Sequence, residues 1–223
     1  MKLKEYLEKK QIPAPLYREH CHVCDRPESV CLCALIQPFE TRTRFVILMH
    51  PKEARKEKSG TGRLCRLALK NSRLIVGVDF TQDREVNALI ADPEYRSVLL
   101  FPAPGAVDLS RDGYRSLAGS GGNLQIFVVD GTWSLARKIL RLSENLRALP
   151  AVSFTPRQPS NFRFKKQPLP ECLSTLESIH LLLELGQEQG VEIAHADIAQ
   201  LPEIFDRLVE IQLEYLDSGS AVV

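Results

Sequence analysis

The stretch VVDGTWSLARKIL, residues 128–140, places an aspartate where an apolar strand gives way to a helix. Residues 125–129 (QIFVV) are apolar and rich in β-branched side chains, as a buried strand should be, and Leu135, Ile139 and Leu142 then recur at helical spacing. Asp130 therefore stands at the carboxyl end of a strand. In open α/β sheets that edge gathers the strand-to-helix loops and the free N–H groups of helix N-termini, and ligands bind there. The competing reading is local: Asp130, Thr132 or Ser134 simply caps the helix that follows.

Outward from this point the same alternation repeats. Residues 43–50 (TRFVILMH) read as a buried strand, 62–72 as a helix with Leu64, Leu67 and Ala68 on one side, and 74–78 as a second strand. A short helix at 85–91 leads to a third strand at 97–101, which stops abruptly at Pro102-Ala103-Pro104-Gly105. GSGGN, 119–123, reads as a mobile loop before the strand at 125–129, and 151–154 as a fifth strand. Ser174 and Glu177 form an S-x-x-E capping box opening a helix with Leu176, Ile179 and Leu183 inward. A last helix covers about 196–216, its apolar stripe being Leu201, Ile204, Leu208 and Tyr215. Strands alternating with helices predict an α/β fold, a mainly parallel sheet with helices on both faces.

At 223 residues, 44% hydrophobic and 26% charged, the chain has the composition of an ordinary soluble domain with a small appendage. The start, MKLKEYLEKKQIPAP, reads as a short helix without the apolar centre of a signal peptide, and no window has the length of a membrane span. A cytoplasmic protein is expected, with no membrane and no indicated protein partner. The net charge of +1 hides an asymmetry: residues 170–223 hold one basic side chain, Arg207, against eleven acidic ones, so residues 1–169 carry +11. The densest basic run is 52–73, with Lys52, Arg55, Lys56, Lys58, Arg63, Arg66, Lys70 and Arg73. Such a field attracts polyanions by counterion release, which makes nucleic acid the leading partner class; a merely solvated basic face is the alternative.

HCHVCDRPESVCLC gives C-x2-C-x6-C-x-C: Cys21, Cys24, Cys31 and Cys33. Four thiolates so close can close a tetrahedron around Zn²⁺ and leave no position for a reacting water, so the metal's role would be structural. His20 or His22 is available to replace one cysteine, and a redox pair or reduced buried thiols are the rival readings. This segment, about 1–40, divides from a larger unit at 41–223. Cys65 and Cys172 stand alone and read as core fillers.

DGTW followed by a basic amphipathic helix, HPKEARKEKSGTGRL and LLFPAPGA before it, and RQPSNFRFKKQP and CLSTLE after it, together resemble the DTW-domain proteins, tRNA-uridine aminocarboxypropyltransferases. The cysteine-rich start is similar as well, so the likeness runs from about Cys21 to Glu177. One block departs from it: Gly60 stands where that family has Asn before the Thr of the basic turn.

The resemblance implies a SPOUT-like fold with a trefoil knot, S-adenosylmethionine as donor, and transfer of its 3-amino-3-carboxypropyl group to N3 of a uridine in tRNA, leaving 5′-methylthioadenosine. On that reading Asp130 is the catalytic base. Three loops would hold the donor: Phe101, Pro102, Ala103 and Gly105; Thr132 and Trp133; and Leu173, Ser174 and Thr175, whose helix start offers N–H groups to a carboxylate. tRNA would meet Arg157, Gln158, Arg163, Lys165 and Lys166, interleaved with Phe162 and Phe164, together with Arg55, Thr61 and Arg63. His50, before Pro51, is a further polar candidate. Two rivals stand beside this reading: an RNA methyltransferase presenting the other carbon of the same donor, and a non-catalytic zinc-stapled RNA-binding module. A nicotinamide enzyme does not fit, since no G-x-G-x-x-G follows the first strand.

Overall fold

The computed structural model describes residues 19–56, 60–118, 123–163, 172–193 and 196–217. Within them six strands form one sheet: β1 (Arg44–Met49), β2 (Ser72–Val76), β3 (Tyr95–Leu100), β4 (Val107–Asp108), β5 (Asn123–Asp130) and β6 (Ala151–Ser153). The spatial order is β2-β1-β5-β3-β6-β4, and each pairing is parallel. The sheet is thus parallel throughout, not only mainly so. β1, β5, β3 and β6 lie inside it, and the apolar runs Phe45–Met49 in β1 and Ile126–Val129 in β5 accordingly show no polar-out alternation.

The period-two geometry of the strands deals those runs to two cores. Phe45, Ile47, Val98, Ile126 and Val128 face one side, where they meet α2 (Thr61–Ala68), α4 (Tyr114–Ala118), α7 (Thr175–Glu188) and α8 (Gln200–Asp217). Val46, Leu48, Leu99 and Phe127 face the other, against α3 (Arg84–Ile90), α5 (Trp133–Leu142) and α6 (Glu144–Arg147). Phe45, Val46, Ile47 and Leu48 are fully buried. At about 1.5–3 kcal/mol per buried side chain, β1 alone is a large share of what holds the sheet. Gln125, polar but fully buried in β5, is satisfied by donating to the Leu89 carbonyl and Ser97 Oγ while accepting from Arg44.

Differences from the sequence reading are local. The helix expected over 62–72 ends at Ala68 because Leu69 pairs with Phe39 in an extended bridge, and β2 accordingly begins at Ser72. β4 was not expected; two residues beside a proline-glycine turn give no periodic signal. In α5 the inward side chains are Ala136, Ile139 and Leu140, whereas Leu142 is exposed. The final helix begins as a 3-10 turn, Ala196–Ala199, before α8. The N-terminal helix, most of the GSGGN loop, Lys58, Phe164, Lys165 and Lys166 lie outside the described residues. No helix among the described residues is long and apolar enough to cross a membrane.

Candidate active site

The carboxyl ends of β3, β5 and β6 converge on a cleft of about 790 Å³. Asp130 is the last residue of β5 and lines it while only 7% exposed. Its backbone accepts from His50 N–H, and its Oδ1 accepts from the Thr175 hydroxyl at 2.6 Å, so the carboxylate is held by the start of α7 and does not cap its own helix. Thr132 occupies the cap position of α5 without accepting a helix N–H; its Oγ1 meets Ser134 Oγ instead.

The first turn of α2 closes the other side. A Cβ on Gly62 would lie 2.5 Å from Asp130 Oδ2, a distance no side chain tolerates, so glycine is what lets the helix start approach the carboxylate. Behind it the fully buried Cys65 thiol is pushed well up, by burial first and by the charge of Asp130 second, and stays neutral. Phe101 and Trp133 wall the cleft with ring centroids 6.0 Å apart and planes tilted by 53°.

At the start of α7 the capping box forms in both directions: Ser174 Oγ accepts from Glu177 N–H and Glu177 accepts from Ser174 N–H. Of the helix's first-turn donors, the amides of Thr175 and Leu176 are the ones the box leaves. Glu177 also accepts from Ser160 Oγ and Asn161 N–H, which straps the 157–163 segment to the helix.

The candidate donor-site residues Phe101, Pro102, Thr132, Trp133, Leu173, Ser174 and Thr175 all line this cleft. Ala103 and Gly105 lie outside its wall; Gly105, at φ 79, serves the turn instead. Of the RNA candidates Thr61 lines the cleft, whereas Arg63 is tied to the Ala54 carbonyl and Asp25, and Arg157 to Glu188. Gln158 and Arg163 are exposed, and Phe162 is buried against Phe205, its ring turned into the core and the cleft wall. Sequence reasoning missed Glu53, Ser153, Phe154 and Arg137 in the wall. Arg137 had a legible signal, standing one helical turn beyond Trp133; Ser153 and Phe154 had none beyond ending a strand.

Arg137 of α5 lines the cleft; Lys138 and Arg141 of the same helix, and Lys52 and Arg55 of α1 (Pro51–Lys56), the helix that brings Glu53 to the wall, are exposed, and none of the five has a carboxylate partner among the described residues. His50, immediately before α1, is 4% exposed; Nδ1 accepts from Lys52 N–H, and burial, then Lys138 and Lys52, lowers its pKa.

The four cysteines Cys21, Cys24, Cys31 and Cys33 gather with all sulfurs within 4.8 Å of one another. The Cys21–Cys33 and Cys24–Cys31 sulfurs are 3.8 and 3.7 Å apart, against an edge of about 3.8 Å for a tetrahedron with Zn–S bonds of about 2.3 Å. Backbone N–H groups of Cys24 and Val23 draw the Cys21 thiol down to about 6, while burial pushes Cys33 up. Four sulfurs this close cannot all ionise without a cation among them. The cluster fits a metal ion. His20 is turned to the Asp25 carbonyl, so the histidine substitution is not what the geometry presents.

The DTW domain family model matches residues 18–213. The chain is 32% identical over 171 residues to tRNA-uridine aminocarboxypropyltransferase 2 of Drosophila melanogaster, covering 74% of this chain and 65% of that protein. It is 28% identical to the protein of the same name from Mus musculus, covering 78% and 58%, and 27% identical to tRNA-uridine aminocarboxypropyltransferase A of Arabidopsis thaliana, covering 89% and 83%. The chain thus spans less than two thirds of the length of these two animal relatives. No solved structure matches it.

Proposed function

This chain belongs to the DTW domain family, and from that premise we propose that it is a tRNA-uridine aminocarboxypropyltransferase, with S-adenosylmethionine as donor and N3 of a tRNA uridine as acceptor. The observation that carries the reading is Asp130, a buried carboxylate at the sheet's carboxyl edge, held by Thr175 inside an aromatic-walled cleft that Arg137 also lines.

Uridine N3 carries a proton and attacks only as that proton leaves. Asp130 accepts it, Thr175 fixes which carboxylate lone pair points away, and the start of α2 holds the group in place. The new bond joins N3 to the side-chain γ-carbon of the donor; the bond from that carbon to the sulfonium sulfur breaks, its electron pair stays on sulfur, and methylthioadenosine departs. Attack must be in line with the breaking bond, so placement of the donor decides which carbon is transferred. Phe101 and Trp133 are suited to flank a flat ring, and the remaining amides of Thr175 and Leu176 to receive the donor's carboxylate. The RNA backbone would cross Lys52, Arg55, Arg137, Lys138 and Arg141.

Cys21, Cys24, Cys31 and Cys33 would hold Zn²⁺, which in a four-thiolate site supplies structural cross-linking. The SPOUT-like knot, the division near residue 40 and a cytoplasmic location belong to the same reading.

The test is incubation of unmodified tRNA with the purified chain and S-adenosylmethionine, followed by nucleoside mass spectrometry and by-product analysis. A 3-(3-amino-3-carboxypropyl)uridine and methylthioadenosine are expected. S-adenosylhomocysteine would indicate methyl transfer instead, and unchanged tRNA with intact donor would leave only the RNA-binding module.

A further inference from the structure

We infer that Arg26 is a strut between the four-cysteine centre and the cleft, so that metal occupancy sets the position of the first turn of α2 beside Asp130. The inference rests on reading the cysteine cluster as a zinc site and is independent of which carbon the enzyme transfers.

Arg26 is a buried cation, 2% exposed. Burying a guanidinium is costly unless charge and hydrogen bonds compensate it. Its guanidinium donates from Nη2 to the Gly60 carbonyl at 3.3 Å, and among the described residues Nε and Nη1 have no hydrogen-bond partner. Arg26 stands two residues after the buried Cys24, and no carboxylate among the described residues is paired with it. Four neutral thiols would leave this cation uncompensated, whereas four thiolates around Zn²⁺ carry a net charge of −2 and take N–H donors in their outer shell. Two orphaned guanidinium nitrogens are such donors. The local chain holds Arg26 against the knuckle: Asp25 adopts a left-handed φ of 61, and Cys21 N–H closes onto the Arg26 carbonyl at 2.8 Å.

The other end of the side chain reaches the cleft. Gly60, whose carbonyl it holds, immediately precedes α2, and Gly60 and Thr61 line the wall. One residue later Gly62 abuts the Asp130 carboxylate with no room for even a Cβ. Arg63 adds a parallel tie from the same turn to Asp25. A shift at the knuckle is therefore passed to the carboxylate through one turn of helix.

The test uses the zinc-loaded full chain and measures zinc retention against a competing chelator together with amide hydrogen exchange. Amides 65–68 report on the turn, because they donate to its carbonyls; amides 126–128 in β5 report on the global fold. Arg26→Met is expected to weaken zinc binding by about 10–100-fold and to speed exchange at 65–68 about tenfold or more, with 126–128 unchanged. Arg26→Lys keeps a cation near the sulfurs without the reach to Gly60, so it should retain zinc better than the Met variant and still speed exchange at 65–68. Stripping zinc from the unmutated chain should speed the same amides. The inference is overturned if Arg26→Met holds zinc as the unmutated chain does, if Arg26→Lys leaves 65–68 unchanged, or if zinc removal does. Should Arg26→Met fail to fold, the Lys variant and the stripped chain decide between those results. None of these readouts uses turnover, so a failure here is separable from a failure of the transferase assignment.

Discussion

The chemistry proposed for this chain narrows to a few atoms around Asp130. Its carboxylate has a hydroxyl on one side, a helix start on the other and a cleft in front. Asp130→Asn preserves that shape and removes the proton acceptor, so kcat should fall by about 10²–10⁴-fold with donor affinity little changed; single-turnover assays and donor titration check this. An unchanged rate would mean the proton leaves by another route. Gly62→Ala tests the geometry without touching the base. A methyl group demanding the position 2.5 Å from Oδ2 must displace the carboxylate or α2, and displacement of about 1 Å is expected to cost roughly 100-fold in kcat/KM. Its circular dichroism should remain that of the parent.

At the level of elements, α7 is held at its first turn by one carboxylate with several duties. Ser174→Ala removes the side-chain half of the capping box and should lower unfolding free energy by about 1 kcal/mol, measured by urea titration. Glu177 also anchors Ser160 and Asn161, which explains why the RQPSNFR segment is a strap and why its Phe162 is a core ring. α5 has the opposite character: one face packs through Ala136, Ile139 and Leu140, and the other exposes Arg137, Lys138 and Arg141. If that face carries RNA phosphates, replacing Lys138 or Arg141 by Ala should reduce the slope of log K against log salt by about one each; replacing Arg157, already paired with Glu188, should change it less. Equal slopes for all three would move the RNA elsewhere.

Over the whole molecule the fold behaves as two cores on one parallel sheet, and its stability should depend on pH through histidines held neutral inside it. His50 and His180 are both lowered from 6.5, in each case chiefly by burial. The unfolded chain therefore takes up protons near pH 6.5 that the folded chain refuses, so the stability is fully present above that pH and is lost as pH falls through and below it. Urea midpoints at pH 7.5 and 5.5 should differ, and the difference should shrink in a His50→Gln, His180→Gln double variant; a flat profile in the parent would contradict the shifts. Much of this architecture was legible in the amino-acid order. Continuous apolar strands, the S-x-x-E box and the cysteine spacing report periodicity, caps and ligand geometry, all of which are settled within a dozen residues. What depended on tertiary structure was whatever two distant segments do to each other: Thr175 donating to Asp130 across 45 residues, Gly62 making room for it, Arg157 being neutralised by Glu188, and Arg26 reaching Gly60. Local sequence fixes the direction in which a side chain leaves its strand or helix, but only packing decides which neighbour occupies the space it enters.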